Sequence, residues 1–333
     1  MTSQSVRWRL ASLLPLPADA VRAFVGDLPV DIVVPESRDT AGLHDALRTA
    51  DLALGDFSGE LRIGAAEVAV ATRLAFVQQP SVGVELIDLD ACAAAGVVVS
   101  NCAGANDISV AEWCLAATLD ICRSMTWADG EVRRGGWPQL DMSQRGCSEL
   151  AGKRVGIVGF GPIGVACARM FAALDCPVSY WTRRRRSPDE EYGATYRELD
   201  DLVAASDVLV VVIARGPSTA GLLSTERLGL LPRGAYLVNA ARGGIVDESA
   251  LVAALDSGAL AGAALDVFGR EPLPADSPLR QHGRILLSPH VAGATQQGTQ
   301  RVVQMTVANL RRAISGEPVV SVCNGLDPVI RKR

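Results

Sequence analysis

The chain has 333 residues and a net charge of −5 at pH 7, with hydrophobic residues making up 49% of the sequence and charged residues 21%. That length exceeds the size at which one core stops growing, so two domains are expected, and the composition excludes a disordered chain. The acidic balance, with one dense basic run at 183–186, argues against a nucleic-acid partner, and no apolar run approaches the ~20 residues of a membrane-spanning helix.

Arg7 and Arg9 precede an apolar stretch at 10–16, and Ala18-Asp19-Ala20 mimics a secretory cleavage site. Pro15 and Pro17 interrupt the run toward that site, so a first strand ending at Pro15 and a helix from about Ala18 are expected, with secretion as the lesser alternative. From Val6 to Ser100 short apolar strands at 31–34, 74–77 and 97–99 alternate with Ala-rich helical stretches, the rhythm of a parallel α/β domain. A long helix is expected over 108–125, opened by Asn106 or Asp107 and able to carry the chain between domains. Gly135, Gly136 and Pro138 then break the pattern. A second series predicts six parallel strands at 154–158, 178–181, 208–213, 235–239, 262–267 and 285–287, a doubly wound sheet. An amphipathic helix at 299–314 follows, its packing partner left open by periodicity. Eight cysteines without a Cys-x-x-Cys pair are expected to be reduced thiols of a cytoplasmic protein, and no metal site is assigned.

The strand at 154–158 runs into Gly159-Phe160-Gly161-Pro162-Ile163-Gly164 and then a helix. Gly159 permits a tight turn, Gly161 lets the backbone approach a pyrophosphate, Gly164 allows close helix packing, and the helix N-terminus offers amides to phosphate. Strand, turn, helix and second strand arrive at the spacing of a dinucleotide site. The position where an acid would hold the ribose hydroxyls of NAD is Thr182, 18 residues after Gly164, and Arg183 and Arg184 follow at once. Guanidinium forks suit a 2′-phosphate, so NADP is preferred and NAD is the alternative. A basic turn that is merely solvated stays open as the competing explanation.

Ligands of an open parallel sheet bind beyond the carboxyl ends of its strands. Arg242, Asp266, Glu271 and His290 all follow such ends. Reducing a 2-oxo acid needs a proton donor for the carbonyl oxygen and a cation for the carboxylate, which a histidine and an arginine supply. A carboxylate beside such a histidine favours its protonated form and fixes its tautomer, and Glu271 is placed to do so. Of three histidines, His44 lies in an early helical stretch and His282 in a polar loop, leaving His290 after a strand end. Arg242 has a competing use as the partner of Asp247, but Gly243 and Gly244 beside it suggest close approach of a ligand.

These residues resemble the D-isomer-specific 2-hydroxyacid dehydrogenase family, which includes phosphoglycerate dehydrogenases and glyoxylate and hydroxypyruvate reductases. The likeness is carried by Gly83-Val84-Glu85-Leu86-Ile87-Asp88, Ser109-Val110-Ala111-Glu112 and the glycine loop. It continues in Val238-Asn239-Ala240-Ala241-Arg242-Gly243-Gly244, Ala264-Leu265-Asp266-Val267-Phe268 with Glu271-Pro272, and Ser288-Pro289-His290.

The resemblance implies that Arg242 binds substrate, His290 is the acid/base with Glu271 its partner, and Asp266 holds the nicotinamide carboxamide. It places Ser81, Val82 and Gly83 in a loop whose amides receive the substrate carboxylate. It adds Pro162, Ile163, Ile213, Ala240 and Ala241 to the cofactor contacts. It further implies a Rossmann-type cofactor domain (103–291) inserted in a flavodoxin-like substrate domain (1–102 with 292–333), an active site in the cleft between them, and a homodimer formed largely through the cofactor domain. Three departures stand out: Thr182 replaces the usual acid, Ala214-Arg215-Gly216 stands where a proline and threonine are frequent, and Trp113 replaces a common histidine. Thr182 favours glyoxylate- and hydroxypyruvate-type reductases, and Glu271 counts against formate dehydrogenase, where glutamine partners the histidine. The second reading is a corepressor-like protein that senses dinucleotide with little turnover. The basic turn predicts a higher kcat/KM for NADPH than for NADH; steady-state kinetics with both coenzymes checks this, and a strong NADH preference removes the inference.

Overall fold

A computed structural model describes residues 7–333; Val6, where the alternating pattern is expected to begin, lies outside the described residues. The chain forms two compact units, one of residues up to Asn106 together with Thr295–Arg333, the other Asp107–Ala294. The crossings fall slightly beyond the expected 102/103 and 291/292. Residues 103–106 stay with the first unit because the Ala105 amide bonds the Cys102 carbonyl and Arg301 Nε donates to the Ala105 carbonyl at 2.6 Å. Ala292 stays with the second because its amide bonds the Asp266 carboxylate at 2.8 Å.

The first unit contains β1 (Trp8–Ser12), β2 (Val30–Val33), β3 (Leu52–Leu54), β4 (Phe76–Gln78) and β5 (Val98–Ser100), all parallel in the flavodoxin-like order β2-β1-β3-β4-β5. Its helices include α1 (Ala18–Val25), α2 (Thr40–Arg48), α3 (Ala65–Val70) and α4 (Leu89–Ala94). The central strand β3 was not expected: three fully buried residues, Leu-Ala-Leu, have no alternation to mark them.

The second unit has seven parallel strands rather than six: β6 (Val155–Val158), β7 (Val178–Trp181), β8 (Thr195–Tyr196), β9 (Val208–Val211), β10 (Ala235–Asn239), β11 (Leu260–Leu265) and β12 (Ile285–Leu287). Their order is β12-β11-β10-β9-β6-β7-β8, with the Rossmann reversal between β6 and β9. The added strand β8 is two residues at a sheet edge, too short for a periodic signal. Helices α5 (Asp107–Arg123), α6 (Met125–Arg133), α7 (Gln139–Gln144), α8 (Pro162–Ala172), α9 (Leu199–Ala204), α10 (Thr225–Leu228) and α11 (Glu248–Asp256) complete the unit. Trp113 of α5 packs against the core shared with α8.

The last helix, α12 (Gln296–Ser315), returns to the first unit. Leu310 and Ala313 are buried in the core beneath β1, β3 and β4, where burial of Leu310 contributes about 2 kcal/mol. Asn309 Nδ2 donates to Gln78 Oε1 of β4 at 2.8 Å, a buried polar pairing that fixes the helix register. Among the described residues no helix is long and apolar enough to cross a membrane.

Asp56, at the carboxyl end of β3, is buried; its carboxylate accepts the amides of Ser58, Glu60 and Leu61 and lies 3.1 Å from Arg38 Nη2. Gln79 Nε2 donates both to the Asp56 carbonyl, at 2.8 Å, and to Ser81 Oγ, at 2.9 Å, joining this turn to the Ser81 loop. Burial alone pushes the Asp56 carboxyl up, but the Leu61 and Ser58 donors and Arg38 outweigh it and hold its pKa below the usual carboxylate range. A depressed folded pKa means the stabilisation is present above the unfolded value and is lost as pH falls through the folded one. Asp56→Ala is expected to lower unfolding stability by about 3 kcal/mol at pH 7, with the deficit shrinking under strongly acid conditions. Denaturant melts of both proteins across acid pH measure it; a constant deficit rejects the assignment.

Candidate active site

The glycine turn begins where β6 ends. Gly159 has φ +101°, and an added Cβ there would lie 2.7 Å from Ile213 Cα, so turn and strand end exclude any side chain. A Cβ on Gly164 would overlap the Gly159 carbonyl oxygen, so α8 starts directly against the turn. Gly161 differs: a Cβ there meets nothing within 4 Å. Gly161 is the N-cap of α8 and Pro162 its first residue, so the Ile163 and Gly164 amides sit at the positive end of the helix. Open backbone at Gly161 beside these amides fits a dinucleotide pyrophosphate.

Beyond β7, Thr182, Arg183, Arg184, Arg185, Arg186 and Glu190 line a pocket of about 720 Å³. The four arginines are not equivalent. Arg186 donates through Nε and Nη2 to the Phe160 carbonyl at 3.1 and 3.0 Å, and Arg185 Nε donates to Glu191 at 3.1 Å. Arg183 Nη1 reaches Ser218 Oγ only at 3.5 Å, and Arg184 makes no hydrogen bond or ion pair among the described residues. The turn is therefore anchored by two arginines and presents the other two, with half-buried Thr182 beside them.

Arg242, Asp266 and His290 follow the neighbouring strands β10, β11 and β12. His290 Nδ1 lies 2.7 Å from Glu271 Oε2, and Glu271 Oε1 accepts the Phe268 amide at 2.9 Å, so the carboxylate is held from both oxygens. The imidazole is 46% exposed and Nε2 has no partner among the described residues, leaving that nitrogen for a ligand. His290 itself has φ +56°, an unusual value for a side-chain-bearing residue.

Asp266 is what holds that backbone. It is 1% exposed, and its carboxylate accepts Ser288 Oγ at 2.5 Å and the amides of Val291 and Ala292 at 2.8 Å each. Its carbonyl accepts the His290 amide at 2.8 Å. The residue expected to face the carboxamide is thus also the anchor of the histidine turn. Ser288 and this anchoring were missed by sequence reasoning, since 22 residues separate the pair and no local spacing marks it.

Around Arg242 the reading of the glycines needs correction. A Cβ on Gly243 would overlap the Phe268 carbonyl, so this glycine serves close packing of the 268–269 backbone rather than approach of a ligand. Gly244 has φ +74°. Asp247, the competing partner considered for Arg242, uses its carboxylate to cap α11 through the Ser249 and Ala250 amides. Arg242 Nη1 donates to the Ala241 carbonyl at 2.7 Å, and Asn239 Oδ1 accepts the Ala241 amide at 3.0 Å, so Ala240 and Ala241 lie in a turn with fixed shape.

In the first unit, the carbonyls of Ser81, Val82 and Gly83 are drawn back by the Cys102 amide, Asn101 Nδ2 and Ser81 Oγ respectively. A trans peptide directs its carbonyl and the next N–H oppositely, so the amides following these carbonyls face away from their anchors. Among the described residues no group of three or more His, Cys, Asp or Glu is placed to hold a metal ion.

Residues 115–292 match the family described as "D-isomer specific 2-hydroxyacid dehydrogenase, NAD binding domain". A glyoxylate reductase of Thermofilum pendens is 34% identical over 302 residues, 88% of either chain. A D-3-phosphoglycerate dehydrogenase of Mycobacterium tuberculosis is 36% identical over 308 residues, which are 92% of this chain but only 57% of that longer enzyme. The holo D-mandelate dehydrogenase of Rhodotorula graminis shares the fold, with a TM-score of 0.89 at 23% identity over 97% of this chain and 99% of its own. The family match and these relatives define the class, a nicotinamide-dinucleotide-dependent oxidoreductase, and the fold and glycine turn agree with it. The chain belongs to the D-isomer specific 2-hydroxyacid dehydrogenase family.

The glycines separate folding from binding. Gly161→Ala is expected to melt within about 0.5 kcal/mol of the parent while weakening dinucleotide binding at least about tenfold. Gly164→Ala should instead lose about 2 kcal/mol or more of stability. Thermal melts and fluorescence titration with dinucleotide distinguish the two; equal stability losses contradict the division.

Proposed function

We propose that the protein reduces small 2-oxo acids of the glyoxylate or hydroxypyruvate type to D-2-hydroxy acids, with NADPH preferred over NADH. The observation that carries this reading is the His290–Glu271 pair, 2.7 Å apart after β12, with the half-exposed imidazole's Nε2 unpartnered among the described residues. The bound dinucleotide supplies the hydride. His290 gives a proton from Nε2 to the carbonyl oxygen as the carbon is reduced, and the proton is replaced from solvent; the reverse reaction uses the same nitrogen as base. Glu271 orients the ring through Nδ1 and offsets the charge of the imidazolium. Arg242 binds the substrate acid and polarises its carbonyl, and the Ser81, Val82 and Gly83 loop offers amides to the carboxylate.

For the cofactor, Gly159, Gly161, Pro162, Ile163 and Gly164 cradle the pyrophosphate, with Ile213, Ala240 and Ala241 as further contacts. Arg183 and Arg184, left without strong partners, take the 2′-phosphate beside Thr182. Asp266 combines the histidine anchor with a contact to the nicotinamide carboxamide. We assign a homodimer formed through the cofactor domain, supported by Trp137, 79% exposed just before α7, and Leu140, 80% exposed in its first turn, apolar surface that a second copy would cover. The eight free thiols, six of them buried, favour a reducing cytoplasm.

The corepressor-like alternative differs in turnover. A screen of 2-oxo acids with both coenzymes is expected to find NADPH oxidation with glyoxylate or hydroxypyruvate. His290→Ala should keep its dinucleotide affinity while kcat falls by at least about a hundredfold. Tight NADPH binding without turnover on any acid favours the sensor, and undiminished turnover in His290→Ala removes the acid/base assignment.

A further inference from the structure

We propose that Glu248 is a positioning residue for the reaction, acting through Glu271; the role rests on the reading of His290 and Glu271 given above. Glu248 is the first residue of α11, where an acidic side chain needs no explanation beyond the helix dipole. Its carboxylate, however, is committed elsewhere. Oε1 accepts the Gly269 amide at 2.6 Å across 21 residues of chain, a charge-assisted bond to the loop that carries Glu271.

Two successive amides of that loop end on two carboxylates: Phe268 on Glu271 and Gly269 on Glu248. The Phe268 bond is the one that turns Glu271 toward His290, so it has the right direction only while the 268–269 backbone is fixed. Three contacts fix it. The Phe268 side chain is buried in the core that also holds Leu251 and Leu255 of α11, Gly243 packs on the Phe268 carbonyl, and Glu248 holds the Gly269 amide. The first two restrain the loop by packing; Glu248 is the polar restraint and comes from a helix anchored in the same core. Since Gly269 and Arg270 are exposed, water competes for that amide once the carboxylate is gone. The loop then gains freedom, and Glu271 holds the imidazole less well.

The test is steady-state kinetics of the full chain with the best 2-oxo acid from the screen, alongside thermal melts and dinucleotide titration. Glu248→Ala and Glu248→Asp, whose carboxylate is withdrawn by one methylene, are expected to lower kcat roughly tenfold with dinucleotide affinity unchanged. Glu248→Gln, which keeps the oxygen acceptor, should recover most of that loss. In a Glu271→Ala background, adding Glu248→Ala should lower kcat no further, because the side chain through which it acts is already absent. An unchanged kcat in Glu248→Ala and Glu248→Asp, or the same tenfold loss on top of Glu271→Ala, overturns the positioning role. Full turnover in both Glu271→Ala and His290→Ala overturns the underlying acid/base reading instead, so the two failures are distinguishable.

Discussion

A single buried carboxylate shapes the reactive end of the second unit. Asp266 accepts two amides and a hydroxyl from the turn after β12, and its own carbonyl takes the His290 amide. His290 sits at φ +56°, a conformation that costs on the order of 1 kcal/mol for a residue with a Cβ and persists only when its surroundings impose it. These convergent bonds impose it. With the backbone so held, Nδ1 meets Glu271 and Nε2 is presented outward. Leaving such a carboxylate buried without its donors would cost several kcal/mol, so turn and strand end stabilise each other or neither forms.

The same unit shows how one residue type meets two different demands. Gly159, Gly164 and Gly243 are glycines because protein atoms occupy the space of a Cβ: Ile213, the Gly159 carbonyl and the Phe268 carbonyl. At Gly161 a Cβ would meet nothing within 4 Å, so packing does not require a glycine there. The three crowded positions build a rigid platform, and the fourth leaves it accessible. That separation would let a phosphate approach helix amides without loosening the packing beneath them.

Much of this was readable from the sequence where the signal is local. The strand, glycine turn and helix at 155–172 follow one another in the chain, so each constrains the next. His290 stood out because only three histidines exist and the other two lie away from strand ends. What escaped was either short or non-local. The two-residue β8 is too short for a periodic signal, and β3, though as long as the expected β12, is Leu-Ala-Leu, with neither alternation nor a β-branched residue to mark it. The bond from Ser288 to Asp266 spans 22 residues, and Gly243 contacts a carbonyl 25 positions on, so neither has a sequence spacing to betray it. The purpose of Gly243 was misread for that reason: a glycine beside an arginine looks the same whether ligand or backbone fills the space.

The basic turn after β7 carries the same lesson further, because four identical residues divide into two pairs by their partners alone. Arg185 and Arg186 are neutralised or satisfied by Glu191 and the Phe160 carbonyl, and Arg186 thereby ties the turn to the residue just before Gly161. Placing two further guanidiniums beside this anchored pair is unfavourable by mutual repulsion, though water screens much of it at exposed positions. A phosphate dianion reverses the sign of that interaction. Since the turn is already fixed by the other two arginines, ordering would cost little on binding an anion. A flexible run of four solvated arginines would have no such preorganisation, and the division of partners therefore favours a phosphate-binding turn over one that is basic only for solubility.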